Sequence, residues 1–355
     1  MELRIYNQDL ELQGIIENHT SLQWRRQYGD TGSFEAHFPI TADNARLLRR
    51  KNLITYRGAV EAGIIEHLEI FESPERLEFK IKGRFLPAYF DRRVVHGRRT
   101  WHGRYETGMR RIVRDIIDDQ YATFPHLIIG ELNGYPEMVD FQATYQNCLK
   151  VLKKLSAASA IGFRVRPDFV NRQMIFEPYK GVDHSIAQYT NPHVEFSERY
   201  NNVEKFNYTE NDQLYRNMAY VGGEGEGLDR TIVQVGATTA VGFDRYETFV
   251  DARDIQKEDG MTDATYQSII QERGLERLAE QSISQSVECE VSTANFVYKQ
   301  DYDLGDIVTV IRKQYGIAAH MRITELTEVY ESGKISVNPV FGTPLPTTVD
   351  WSENT

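Results

Sequence analysis

Leu77, Phe79 and Ile81 alternate with Glu78, Lys80 and Lys82, the two-residue period of a strand with one buried face. The stretch 1–90 reads as β throughout. It is interrupted between Pro39 and Asn52 by a short helical turn capped at Thr41. The period then changes. Met109, Ile112, Val113, Ile116 and Ile117 fall on one stripe of a helix. After a Pro- and Gly-rich loop, a second helix is predicted from about Tyr145 to Ala158. Its Leu149, Leu152 and Leu155 point inward and Lys150, Lys153 and Lys154 outward. Ile161, Phe163 and Val165 alternate with Gly162, Arg164 and Arg166, so a strand returns, and 91–195 is expected to be an inserted α/β domain. Residues 196–342 read as a second β region with one helical insertion near 263–281. Gly274 is expected to weaken or bend that helix. The Pro- and Thr-rich tail, 343–355, is expected to fray.

The two β regions resemble each other. Ser33–Phe38 (SFEAHF), Asn52–Arg57 (NLITYR), Gly63–Leu68 (GIIEHL) and Leu77–Gly83 (LEFKIKG) run in the same order as four later blocks. These are Ser286–Val291 (SVECEV), Asp306–Ile311 (DIVTVI), Gly316–Met321 (GIAAHM) and Ile335–Gly342 (ISVNPVFG). Turns are expected at Ser73–Pro74 and Ser332–Gly333. The competing reading is that any two antiparallel meanders share such spacing. A true repeat predicts two similar β-barrels per chain, mainly β with α/β insertions.

Composition narrows the class. With 41% hydrophobic and 26% charged residues over 355 positions, the chain has the makeup of a folded globular protein. No stretch reaches the roughly 20 apolar residues of a bilayer span, and the first twelve residues lack the layout of a signal peptide. A net charge of −11 argues against a general nucleic-acid binder. Cys148 and Cys289 are too few for a disulfide scaffold and are expected to be reduced and buried.

Ordered blocks in the second half carry a family resemblance. They are Asn201-Asn202-Val203, Asn217–Gly227 (NMAYVGGEGEG), Arg245–Ile255 (RYETFVDARDI), Asp303–Val310 (DLGDIVTV), Arg322–Glu331 (RITELTEVYE) and Val337–Gly342 (VNPVFG), with Phe90–Val94 (FDRRV) upstream. The chain resembles the hub or tail-tip proteins of long-tailed phages, which also form the N-terminal part of tail-associated lysins. The likeness spans most of the chain and is specific from about 200 to 342. It implies two β-barrels with α/β insertions, assembled as a homotrimeric ring that matches a sixfold tube to a threefold tip. The implied partners are the distal tail and tail-tube proteins above and tip or receptor-binding proteins below, with DNA only as passing cargo. The implied place is the virion tail tip, assembled in the host cytoplasm without membrane insertion. Longer relatives append a hydrolase or receptor-binding region, which this sequence is expected to lack.

Two segments carry candidate contacts. Arg92, Arg93, Arg98, Arg99 and Trp101, with His96, His102 and Arg104, form a basic run. Arginine with interleaved aromatics can grip nucleic acid or serve a subunit interface. The interface reading is favoured in an acidic, self-associating chain, with a solvated loop as the plainest alternative. Gly223, Glu224, Gly225, Glu226 and Gly227 superficially match a phosphate loop. However, two carboxylates lie inside the segment and a strand, not a helix, follows it. An acidic, flexible hairpin tip facing a lumen or a neighbouring subunit is the better reading. No HExxH, zinc spacing or GxSxG occurs, so no metal, cofactor or catalytic residue is expected. The rival functions are a peptidoglycan hydrolase or carbohydrate-binding tip protein, and the hub of a contractile injection device.

Overall fold

The computed structural model describes residues 1–73, 77–291, 295–331 and 333–344. Pro74 and Ser332, in the two expected turns, and the tail from residue 345 lie outside the described residues. The first region contains β1 (Leu3–Tyr6), β2 (Leu12–Ile16), β3 (Ser21–Gln27), β4 (Ser33–Pro39), α1 (Ala42–Leu47), β5 (Leu53–Tyr56), β6 (Gly63–Glu72) and β7 (Leu77–Phe85). Thr41 caps α1 as expected, its hydroxyl accepting from the Asn44 amide at 3.1 Å. In β3 and β4 alternate side chains are buried. Leu22, Trp24, Phe34, Ala36 and Phe38 share one core with Leu3, Ile5 and Phe79.

The next elements are β8 (Arg98–Arg104), α2 (Tyr105–Asp118), β9 (Leu127–Ile129), β10 (Met138–Thr144), α3 (Cys148–Ser159), β11 (Gly162–Asp168) and β12 (Gln173–Tyr179). They form a two-stranded pair, β8 with β10, and a three-stranded sheet, β11-β12-β9. The stripe Met109, Ile112, Val113 and Ile116 is buried, as are Leu149, Leu152 and Leu155 of α3. Their core extends under Tyr6, Leu53 and Ile64, so the insertion packs on the outside of the first β region.

The remaining elements are β13 (Glu195–Ser197), β14 (Val203–Asn211), β15 (Met218–Gly222), β16 (Ile232–Gly236), β17 (Glu247–Asp251), α4 (Asp263–Glu280), β18 (Ser284–Val291), β19 (Ile307–Arg312), β20 (Ile317–Glu331) and β21 (Lys334–Pro344). The expected single helical insertion is larger than the sequence pattern indicated. Strands β16-β15-β17 make a separate sheet that packs on α4 around Ala219, Val221, Tyr266, Ile269 and Ile270. Gly274 is not a flaw in that helix. A Cβ there would sit 2.5 Å from methyls of both Val221 and Val235, so glycine lets α4 lie close on the sheet.

The two β regions, read from the sequence as separate, are joined. One 13-stranded sheet runs β14-β18-β21-β20-β3-β4-β7-β6-β5-β1-β2, with β19 and β13 branching from β20. The link is antiparallel pairing of β20 with β3, from Glu325 opposite Gln27 to Glu331 opposite Ser21. The repeat is also visible in the connectivity. In the first half β3 pairs β4, β4 pairs β7, β7 pairs β6 and β6 pairs β5. In the second, β14 pairs β18, β18 pairs β21, β21 pairs β20 and β20 pairs β19. Register agrees: Phe34 faces Gly83, which faces Ile65, and Val287 faces Phe341, which faces Ile323. A register shift follows Ile65 in β6, and of the two shifts in β20 one likewise follows Ile323, the other preceding it. A shared bulge at a matched position does not follow from meander topology alone. One block was misaligned by the sequence pattern: Gly63 corresponds to Met321, not Gly316, because β20 starts farther back to pair with β19.

Candidate interaction surfaces

The basic run is divided between two elements. Arg92 and Arg93 lie at the end of a 3-10 turn before β8. The Arg92 guanidinium donates to Glu66 at 3.1 Å, and Arg93 lies 4.0 Å from the Phe124 ring centroid while donating to the Ala122 carbonyl at 2.6 Å. On β8, Arg99 pairs with Asp115 at 2.7 Å and Arg98 with Glu258 at 3.1 Å. Trp101 packs against the insertion core, its indole N–H donating to the Arg104 carbonyl at 3.2 Å. Each of these four arginines therefore has a partner in its own chain, and exposed pairs of this kind are worth about 0–1 kcal/mol each.

Gly223–Gly227 is the turn between antiparallel β15 and β16, as the hairpin reading requires. It is pinned at its base. The Gly223 amide donates to the Thr231 carbonyl at 2.8 Å, and the Glu224 amide donates to the Tyr266 hydroxyl of α4 at 2.7 Å. Gly225 and Gly227 have φ of +104° and +56°, backbone that glycine adopts without strain. Glu224, Gly225, Glu226 and Gly227 are exposed.

One segment brings the two candidates together. The Glu224 carboxylate accepts from the Lys257 amide at 3.2 Å, while the next residue, Glu258, holds Arg98 and accepts from the Thr100 hydroxyl at 3.1 Å. Nearby, Ser268 of α4 donates to Asp140 at 2.7 Å and Tyr105 to Glu272 at 2.5 Å. The basic strand thus meets acidic groups of the second insertion within the same chain. Burial raises the carboxyl pKa of Glu272 and Glu276 on this contact.

A third group was not singled out from the sequence. At the β20–β3 seam the Arg26 side chain is 2% exposed and donates to both Glu61 oxygens at 2.9 Å, to the Tyr298 hydroxyl at 2.7 Å and to Asp303. Beside it, Glu328 accepts from the hydroxyls of Tyr56 and Tyr330, both at 2.5 Å, and of Tyr298 at 2.8 Å. Burial opposes the Glu328 charge, but Lys299 and these hydroxyls outweigh it and hold the carboxyl below its usual range. The residues come from four distant stretches, so only an arginine inside an otherwise alternating strand, Arg26 in β3, could have signalled the network.

Among the described residues no cluster of three or more metal-ligand side chains occurs, and no helix is long and apolar enough to cross a membrane. Comparison with known proteins bears on what such a scaffold does. The model of the siphovirus ReqiPepy6 Gp37-like protein family matches residues 2–343. The chain belongs to that family. No curated protein matched its sequence. Among solved structures it is similar to the 43 kDa tail protein of prophage MuSo2 from Shewanella oneidensis, at TM-score 0.58 and 10% identity, over 96% of this chain and 98% of that one. Prophage tail protein gp18 from Listeria monocytogenes matches at TM-score 0.56 and 12% identity, over 98% and 96%. A chain of the Francisella PdpA–VgrG complex matches at TM-score 0.52 and 12% identity, over 98% of this chain but only 54% of that one. At these identities the structural matches establish a shared fold.

Proposed function

We propose that this tail protein is a baseplate hub, a homotrimeric ring at the tail tip that adapts a sixfold tube to a threefold tip. The observation that carries the reading is the internal repeat. Two units with the same strand connectivity and the same bulge, joined rigidly in one sheet, let three chains present six similar surfaces. On this reading each unit is barrel-like, distal tail and tube proteins bind one side, and tip or receptor-binding proteins bind the other. The ring passes DNA as cargo, is assembled in the host cytoplasm and ends in the virion.

The role is structural rather than catalytic. Three of the candidate arginines are tied to carboxylates of their own chain, Arg92 to Glu66, Arg98 to Glu258 and Arg99 to Asp115, which supports a structural reading. The acidic tip at Gly223–Gly227 and the strand bearing Arg98, Arg99 and Trp101 lie on the two insertions, and they serve as contacts for a neighbouring subunit or tail partner. The likeness to the VgrG-complex chain favours one second reading, the hub of a contractile device, which shares the same architecture.

Native mass spectrometry across a concentration series tests the proposal. A trimer, or a monomer passing to a trimer, is expected. A stable dimer as the end state contradicts the symmetry adaptor, and release of muropeptides from peptidoglycan contradicts the structural role.

A further inference from the structure

The second insertion leaves the large sheet after β14 and returns to it at β18, so two passages of chain tether β15–β17 and α4. Away from that neck, α4 packs on α3 and β10 of the first insertion. The two insertions keep separate hydrophobic cores, one around Met109, Leu152 and Phe163 and one around Val221, Ile269 and Ile270, with no residue in common. Hydrogen bonds and ion pairs cross the contact instead. Arg98 and Thr100 reach Glu258, Ser268 reaches Asp140, and Tyr105 reaches Glu272. A part with its own core, held by polar contacts, opens at lower free energy than the body it rests on.

We infer that the second insertion is a releasable arm, docked on the first insertion in mild acid and freed as the pH rises. The groups that couple docking to protons are Glu272 and Glu276, one turn apart on α4. Glu272 accepts from the Tyr105 hydroxyl of α2 at 2.5 Å and feels the charge of Asp140 on β10. Asp140 is itself hydrogen-bonded to His102 of β8 at 3.0 Å. The Glu276 side chain is 11% exposed and feels Lys154 of α3. On its own helix it lies 3.9 Å from Arg273, which Asp254 shares at 3.2 Å, and near Glu272 and Glu280.

The direction follows from burial. Loss of water raises both carboxyls above the ordinary 4.5, by more than Tyr105, Arg273 and Lys154 lower them. Release returns the two groups to water, so docking takes up protons. Its proton-linked part is full below about 4.5 and is lost as pH rises through the raised values. Asp140 acts in the opposite sense and lower on the scale. Burial opposes its charge, but hydrogen bonds from Ser268 and His102 prevail and hold it below the ordinary 3.8. Its bond to Ser268 therefore survives mild acid, and the contact is tightest where Asp140 is charged and the two glutamates are protonated.

Spin labels on the full chain test the arm. Tyr121→Cys on the first insertion and Val241→Cys on the second are 89% and 75% exposed, whereas the native Cys148 and Cys289 are buried. Labelled protein is diluted with unlabelled protein, so that distances within one chain are read, and pulsed electron paramagnetic resonance is recorded from pH 4.5 to pH 8. Docked chains give one narrow distance and released chains a broad distribution. The released-to-docked ratio should rise about tenfold for each unit by which docking raises a carboxyl pKa. With Glu272→Gln and Glu276→Gln, neutral at every pH, the narrow distance should persist at pH 8. A narrow distance across the whole range without those substitutions overturns the releasable arm. The same broadening with them overturns the part given to the two glutamates. Broadening that coincides with loss of far-ultraviolet circular dichroism is unfolding and also overturns the inference.

Discussion

Arg26 shows how one residue can bind the halves together. Its charge is taken out of water and balanced by Glu61 and Asp303, with Tyr298 completing its donors. Removing one member of a buried pair leaves the other uncompensated and typically costs about 3–5 kcal/mol. Arg26→Met should therefore lower stability by about that amount, read as a shifted urea midpoint. Glu35 is a milder case on the exposed side of β4. Burial opposes its ionisation, yet hydrogen bonds from Lys80, Lys82 and His37 prevail and hold its carboxyl at about 2 against an ordinary 4.5. A depressed folded-state pKa means the stabilisation is full above about 4.5 and is lost as pH falls toward 2. Glu35→Gln should lower the unfolding midpoint at pH 7, where the stabilisation is full, and change it little near pH 2, so that the acid dependence in that window flattens. The alternation that makes β4 a strand was legible. The partners were not, because ion-pair choice depends on which strand lies alongside.

At the scale of elements, α4 makes the same point. Its range, read as 263–281, is close to the observed Asp263–Glu280 capped by Thr262, but the meaning of Gly274 was not legible. Read alone, glycine in a helix is a loss of about 1 kcal/mol that alanine would restore. Against the sheet, a Cβ meets two stiff valine side chains at 2.5 Å, and overpacking typically costs about 1–3 kcal/mol. Gly274→Ala should therefore lower the melting temperature despite the better helix former. The basic run shows the converse. Its arginines were legible as a group, yet β8 and the preceding turn send them to Glu66, Asp115, Glu258 and the Phe124 ring. Sequence proximity did not reveal these partners, because ion-pair choice depends on which elements lie alongside.

At the scale of the whole molecule, the sheet decides how many rigid parts there are. The four repeat blocks lie in matched strands, three of them in the alignment read from the sequence. The fourth slid because β20 is a 15-residue strand serving both β19 and β3. Continuity through β20 and β3 fixes one repeat relative to the other, as an adaptor between symmetries requires. Two freely hinged domains would not hold six surfaces at equal spacing. On the ring proposed above, assembly depends on this seam as well as on contacts between chains.

The sequence by itself determined the mainly β class, the helices and the family likeness, and pointed to two related β regions. Each of these rests on local periodicity or on the order of short blocks, which neighbours along the chain specify. Tertiary structure alone decided that the regions share one sheet, that a second three-stranded sheet stands beside α4, and that Arg26 and Glu328 sit at a buried seam. Those features depend on strand pairing between residues far apart in the chain. Hydrogen bonding between backbones leaves little trace in the identity of the side chains it brings together.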